Sequence, residues 1–204
     1  AKLEAKQLTR SQQASKRILA RRLFFDITGL PPTPKEMENF LSDETSDAYE
    51  RLAEKLIQQQ SFGERLASMW LINARYAEAQ AHQVGANTAF FYPNAYKYRR
   101  WIINAFNNDL PYDDFIRKQI AADLQEKKTI ADLPALGFIG LGHKYYDRNR
   151  LAVKAEEWSE QVDTLTRAFL GLTVACAQCH DHKYDPVTQK DYYGSVSYTH
   201  LTLP

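Results

Sequence analysis

Two cysteines and a histidine provide the strongest chemical signal in this 204-residue sequence. Cys176 and Cys179 are the two cysteines of the chain, and His180 follows the second of them directly. A Cys-x-x-Cys-His pattern is typical of covalent haem attachment, in which each thiol adds across a vinyl group of the haem and the histidine binds the iron. One helical turn would bring both thiols to the same side of the chain. The spacing therefore predicts that these three side chains act together.

Other uses of these side chains are consistent with the same spacing. Cys176, Cys179, His180 and His182 can form the ligand set of a divalent metal ion, although zinc ligand pairs usually come from separate elements. The two cysteines can instead form a redox-active or structural disulfide. A thioredoxin-like pair follows a strand, whereas the pattern before Cys176 is helical. Haem attachment is the preferred interpretation, and the metal site and the disulfide stay open as alternatives.

A haem iron has two faces, and the sequence offers several residues for the second one. His180 is the expected proximal ligand. For the opposite face the candidates are His143, His82 and Met69. His143 is preferred among them because it follows a tight glycine turn, and a haem without a distal ligand is a further alternative.

A second polar cluster follows the cysteine motif. Asp181, His182 and Asp185 can orient His180 or contribute ligands to a cation, as carboxylates around a metal site often do. The same residues can instead cap a turn that ends at Pro186. The cluster is therefore a candidate metal site with a structural alternative.

Composition and charge narrow the class of protein. Hydrophobic residues make up 44% of the chain, which is enough for a sizeable core. The 26 basic and 25 acidic residues give a net charge of +1, so we expect no nucleic-acid partner. No apolar run approaches the roughly 18 residues of a membrane span. Because the chain starts at Ala1 within a helical pattern and without an initiator Met, we expect a fragment of a larger protein with an export signal upstream.

Apolar residues at helical spacing predict an all-α fold, with an irregular set of helices and the Cys-x-x-Cys-His motif in a loop after a long helix. Thr33, Pro34 and Glu36 predict a capping box at one helix start. Glycines at 137, 140 and 142 indicate close helix packing, because no phosphate-binding context surrounds them. The predicted helices cover residues 1–27 as two helices, then about 34–41, 46–60, 64–81, 92–107, 113–124 and 153–172.

Several stretches of the chain resemble one known family. They are Arg21–Pro34, Phe62–Arg65, Ala74–Ala77, Pro93–Arg99, Ala105–Asn107, Pro111–Asp113, Val162–Leu165 and Cys176–Asp191. Together they are similar to the cytochrome c-associated domain of unknown function, the domain of unknown function 1549 family, found in large secreted proteins of planctomycete-type bacteria. The resemblance covers nearly the whole chain, to about Tyr193. It implies a neighbouring cytochrome c-like module, and it supplies no substrate.

The resemblance also divides the chain. Residues 1–194 are predicted to form a single helical domain, and residues 195–204 depart from the family pattern and are predicted to be a foreign or disordered tail. His200 lies in that tail and is therefore left out of the candidate ligands.

The function predicted from these observations is haem binding and electron transfer within a larger, periplasmic or secreted multidomain protein. The expected partner is the adjacent cytochrome c-like module or another redox protein. The alternatives are a metal-binding domain of a polysaccharide-related enzyme, with polysaccharide as its partner, and a structural helical interaction domain. The sequence assigns no catalytic residue, so enzymatic activity is left open.

Overall fold

The computed structural model describes residues 2–9, 11–79, 91–127, 129–142, 144 and 151–202. Within these ranges the chain is helical and forms no β-strand beyond a single bridge between Ala79 and Phe91. The all-α prediction is confirmed. The α-helices in these ranges are α1 (Lys2–Ala5), α2 (Lys16–Thr28), α3 (Pro34–Ser42), α4 (Ala48–Ile57), α5 (Gln60–Asn73), α6 (Ala95–Asn107), α7 (Tyr112–Ala121), α8 (Gly137–Gly140), α9 (Leu151–Leu170) and α10 (Gln189–Thr202). Two 3-10 helices cover Leu133–Leu136 and Val174–Gln178.

The chain divides into two compact units, Ala1–Arg65 and Leu66–Pro204, with the division inside α5. That residues 1–194 form a single domain stays a prediction. Among the described helices, none has both the length and the apolar character needed to cross a membrane.

The first unit packs α2, α3 and α4 around two small apolar clusters. Helix α2 ends at Gly29, whose φ of 72° is the left-handed conformation that glycine adopts without strain. The predicted capping box then begins α3. The Thr33 hydroxyl accepts the Glu36 N–H at 3.3 Å, and the Glu36 carboxylate accepts the Thr33 N–H at 2.8 Å. The buried residues of the two clusters are Ala20, Met37, Phe40 and Ala48 in one, and Leu23, Phe24 and Leu56 in the other.

The second unit is built around an aromatic core, which we define as Trp70, Tyr98, Phe115, Phe138 and Phe169. The ring centroids of Trp70 and Phe115 lie 4.9 Å apart in an edge-on arrangement, and those of Phe138 and Phe169 lie 4.8 Å apart. Such pairs add stability beyond that of their buried area. The helices α5, α6, α7, α8 and α9 each contribute one ring to this core.

The buried side-chain amide of Gln119 forms hydrogen bonds with the polar atoms of the aromatic core. Gln119 is 1% exposed, and its Oε1 accepts hydrogen bonds from the Trp70 indole at 2.9 Å and the Tyr98 hydroxyl at 2.8 Å. Its own Nε2 donates to the Phe115 carbonyl at 3.1 Å. The core therefore leaves no polar atom of Trp70, Tyr98 or Gln119 without a partner, which avoids the cost of an unpaired buried group.

One glycine permits the closest approach in this unit. A Cβ placed on Gly137 would lie 2.8 Å from Tyr98 Cβ and 2.8 Å from Leu141 Cδ1. Gly140, one turn later, has open space around the same position. The close helix packing predicted from the glycine spacing is therefore found at Gly137.

Helix α5 is shorter than predicted because the chain turns at Arg75. The pattern predicts a helix to about residue 81, but α5 ends at Asn73 and Arg75 has a φ of 50°. Arg75 is held there by ion pairs with Glu160 and Asp163 of α9.

Helix α9 confirms the long helix predicted before the cysteines. It ends at Gly171, whose φ is 67° and whose N–H donates to the Arg167 carbonyl at 3.2 Å. This is the left-handed capping geometry that glycine favours. The cap turns the chain away from the α9 axis and into the 3-10 helix at Val174–Gln178.

The last described segment is a helix. Helix α10 continues without a break through Gly194 to Thr202. Val196 packs against a cluster formed by Val162, Val174, Ala177 and Tyr192. That residues 195–204 are a foreign or disordered tail stays a prediction.

Candidate functional site

The cysteine motif begins in the 3-10 helix Val174–Gln178, which contains Cys176, and continues through Cys179, the residue that caps it, to His180. A 3-10 helix has about three residues per turn, so residues three apart lie on the same side. Val174 and Ala177 point inward and are 5% and 0% exposed, whereas Cys176 and Cys179 are exposed. The two apolar residues thus anchor the segment, and the same period presents both cysteines to solvent.

Both thiols are free in this structure, so the disulfide alternative is not formed in it. A positive charge accompanies them, since Arg167 lies within electrostatic range of Cys176. The pKa of Arg167 is raised, first by its hydrogen bond to the Asp163 carboxylate and to a smaller extent by Cys176. Sequence reasoning missed Arg167, whose position follows from α9 and its glycine cap.

The hydrogen bonding of His180 defines which of its nitrogens is available. Its Nδ1 lies 2.7 Å from the carbonyl oxygen of Asp181. A carbonyl can only accept, so Nδ1 carries the hydrogen and the neutral ring has its lone pair on Nε2. Histidines that bind a metal usually donate the other ring N–H in this way. The exposed His180 ring is therefore in a tautomer suited to axial ligation through Nε2.

His182 has a different environment, because its side chain is 8% exposed. Its Nδ1 accepts the N–H groups of Asp185 at 2.9 Å and Tyr184 at 3.2 Å. Nδ1 is therefore unprotonated, and the neutral ring carries its hydrogen on Nε2, which lies 3.4 Å from the Thr173 hydroxyl. In this conformation neither ring nitrogen of His182 is available to a metal ion.

The carboxylates of the polar cluster make contacts within the turn and with α10. Asp181 Oδ1 accepts the N–H of Gln189, the first residue of α10, at 2.8 Å. Asp185 Oδ2 lies 3.4 Å from His182 Nδ1. The turn-capping alternative for this cluster thus has direct counterparts in the structure.

A capping box that sequence reasoning missed begins α10. The Thr188 hydroxyl accepts the Asp191 N–H at 3.2 Å, and Asp191 Oδ2 accepts the Thr188 N–H at 2.8 Å. The hydrogen bonds from Thr188 lower the pKa of Asp191.

The end of the motif is attached to α10 through one backbone carbonyl. The Gln178 oxygen accepts hydrogen bonds from Gln189 Nε2 at 3.0 Å and from the Tyr193 hydroxyl at 3.3 Å. We call residues 171–191 the motif segment. It is fixed by buried apolar anchors on one side and by hydrogen bonds to α10 on the other.

The other candidate ligands are not brought to the motif segment by any described contact. His143 and His82 lie outside the described residues, and Met69 is 42% exposed on α5. In the described part of the chain, no group of three or more His, Cys, Asp or Glu side chains is arranged to hold a metal ion. A haem needs less from the protein, namely two thiols and an imidazole nitrogen, and the residues present fit that requirement.

The fold and the site together define a class: an all-α domain with an exposed Cys-x-x-Cys-His motif that begins in a 3-10 helix. The chain belongs to the PSCyt2 family, described as a protein of unknown function (DUF1549), whose model matches residues 1–201. The match continues beyond Tyr193, where the resemblance seen in the sequence ends. Neither a curated protein nor a solved structure matches the chain.

Proposed function

We propose that Cys176, Cys179 and His180 attach a c-type haem and that the domain takes part in electron transfer within a larger periplasmic or secreted protein. The observation that carries the proposal is the tautomer of His180. Its Nδ1–H is used by the Asp181 carbonyl, so Nε2 has the lone pair that an iron ion requires. This side chain directly follows two exposed free thiols.

The chemistry asked of each cysteine is a simple addition. Each would add its sulfur to one carbon of a haem vinyl group and its hydrogen to the other, so the vinyl double bond is consumed and no oxidant is needed. Cys176 lies in the 3-10 helix and Cys179 caps it, and the exposure of both thiols supports this addition. When bound, the haem supplies one-electron redox chemistry.

The position of the motif at the surface supports electron transfer to a neighbouring module. Cys176, Cys179 and His180 are all exposed, so a group attached there would be accessible to a partner. We propose a cytochrome c-like module of the same protein, or another redox protein, as that partner. Haem attachment to reduced thiols outside the cytoplasm accounts for the proposed location.

The proposal is tested by expressing the chain with an export signal in a bacterial host that contains the haem-attachment machinery. We expect a Soret band, stoichiometric haem, and retention of the haem after acid extraction. The matched control is the Cys176→Ala, Cys179→Ala double variant, which should be colourless. Wild-type protein that is colourless while binding stoichiometric zinc would establish the metal alternative instead.

Single variants separate the roles of the three residues. Cys176→Ala or Cys179→Ala should leave one thioether and shift the haemochrome spectrum. His180→Ala should keep any covalent haem but lose the low-spin signature and change the reduction potential. At a metal site, by contrast, all three variants should lower metal affinity by a similarly large factor.

A further inference from the structure

The burial of His182 is unexplained by haem attachment alone. His180 is exposed and available, but His182, two residues later, is 8% exposed and hydrogen-bonded through both ring nitrogens. The polar contacts of the ring are the N–H groups of Tyr184 and Asp185, the Asp185 carboxylate and the Thr173 hydroxyl. A side chain with these hydrogen bonds can hold the surrounding backbone in one conformation.

His182 closes the turn that follows His180. Its Nδ1 accepts two N–H groups, from Tyr184 and Asp185, and its own backbone N–H donates to the Val187 carbonyl at 2.8 Å. The Val187 N–H in turn donates to the Asp185 carbonyl at 2.7 Å. The conformation of residues 182–187 is therefore organised around this imidazole.

The same ring reaches back to the start of the motif. Its Nε2 lies 3.4 Å from the hydroxyl of Thr173, and the Thr173 carbonyl accepts the Cys176 N–H at 3.0 Å. His182 thus contacts the residue that precedes the 3-10 helix and also holds the turn after His180. One side chain therefore connects the segment before Cys176 with the segment after His180.

We infer that His182 is a positioning residue for haem attachment: it holds the two thiols and His180 in one arrangement by accepting two backbone N–H groups and contacting Thr173. This inference rests on the proposed function. It assigns His182 no contact with the haem or the iron.

Two amide variants separate the two ring nitrogens. In His182→Asn, the side-chain oxygen occupies the position of Nδ1 and can still accept the N–H groups of Tyr184 and Asp185. In His182→Gln, the amide extends to the position of Nε2, so the contact with Thr173 is kept but the Nδ1 acceptor is lost. The pair is matched in charge and chemistry, and circular dichroism checks that both variants fold.

The first measurement is haem content and spectrum after maturation in the attachment host. We expect His182→Asn to keep most of the haem and the wild-type spectrum. His182→Gln should lower haem content by about tenfold, because two N–H groups lose their acceptor, and should shift the reduction potential of the haem that remains. Equal haem content, spectrum and potential in wild type and both variants would overturn the inference.

The second measurement uses haem-free protein, so that it is independent of haem attachment. Nitrogen chemical shifts of His182 should show an unprotonated Nδ1, and the Tyr184 and Asp185 amides should exchange faster in His182→Gln than in His182→Asn. A protonated Nδ1, or equal exchange, would overturn the positioning role. If wild-type protein takes up no haem but these shifts and exchange rates are as expected, the proposed function fails while the organisation of the motif by His182 stands.

Discussion

The aromatic core and the motif segment lie in the same unit but are stabilised by different kinds of interaction. The core rings are buried or partly buried, with centroids as close as 4.8 Å. In the motif segment, apolar anchoring is limited to one side, and hydrogen bonds to backbone groups specify the rest. Buried apolar contacts are large and non-directional, whereas each hydrogen bond is small and directional.

Because of this difference, we expect substitutions in the two regions to have different effects, mainly on stability in one and mainly on chemistry in the other. Substitutions in the aromatic core should lower the free energy of unfolding without selective effects on the thiols. Substitutions at the exposed face of the motif segment should change its chemistry at little cost in stability. The following predictions test that separation.

The largest expected effect is in the core, at Phe138, which is 1% exposed. Phe138→Ala removes a ring that contacts Trp70 and Phe169 and should cost about 3–5 kcal/mol in unfolding free energy. The control is Tyr184→Ala in the motif segment, where an 82% exposed ring should matter by less than about 0.5 kcal/mol. Urea unfolding measures both, and equal costs would remove the distinction between the two regions.

A smaller effect is expected where helices approach closely. Gly137→Ala introduces a methyl group into the 2.8 Å contacts with Tyr98 and Leu141, which should cost about 1–3 kcal/mol. Gly140→Ala, in open space one turn later, should be neutral or slightly stabilising because alanine loses less backbone entropy in a helix. Thermal unfolding distinguishes the variants. A Gly137→Ala protein as stable as wild type would show that the core yields at this point.

The motif segment should show a modest dependence on acid. The pKa of Asp191 is lowered below its usual 3.8 by hydrogen bonds from Thr188, so its contribution to stability is present above that value. It is lost as the pH falls through the lower, folded-state pKa. We therefore expect the difference in Tm between wild type and Asp191→Asn to shrink on acidification. The same difference at neutral pH and at pH 2 would contradict this prediction.

The smallest effect concerns the link between the motif and α10. Tyr193→Phe removes one exposed hydrogen bond to the Gln178 carbonyl, which keeps its second donor, Gln189. The unfolding free energy should change by less than about 0.5 kcal/mol. Amide exchange around Gln178 provides the more sensitive measurement, and a large loss of stability would show that this face is as tightly constrained as the core.

The sequence predicts the fold best where local patterns decide it. The Thr33 and Glu36 capping box and the helix before Cys176 follow from caps and apolar spacing. The end of α5 does not, because the left-handed conformation of Arg75 is secured by Glu160 and Asp163, which are distant in sequence. No local pattern contains that information.

In the candidate site, too, local spacing predicts some features, whereas others depend on contacts that no local pattern contains. The spacing of Cys176 and Cys179 is sufficient to predict that both thiols lie on one side of a helical turn, and both are exposed in the structure. The position of His182 cannot be predicted in this way. Its partners are backbone N–H groups and Thr173, which carry no sequence signal of a pairing.

The left-handed cap at Gly171 sets the direction in which the chain leaves α9, and thereby which side chains after it face the core. Each residue inserted into α9 between Val162 and Gly171 would rotate the exit of the chain by about 100° around the helix axis. Val174 and Ala177 would then leave the cluster that they share with Val162, and the cysteines would no longer face outward together. Length changes between Val162 and the cap are therefore expected not to be tolerated, whatever the amino acids inserted.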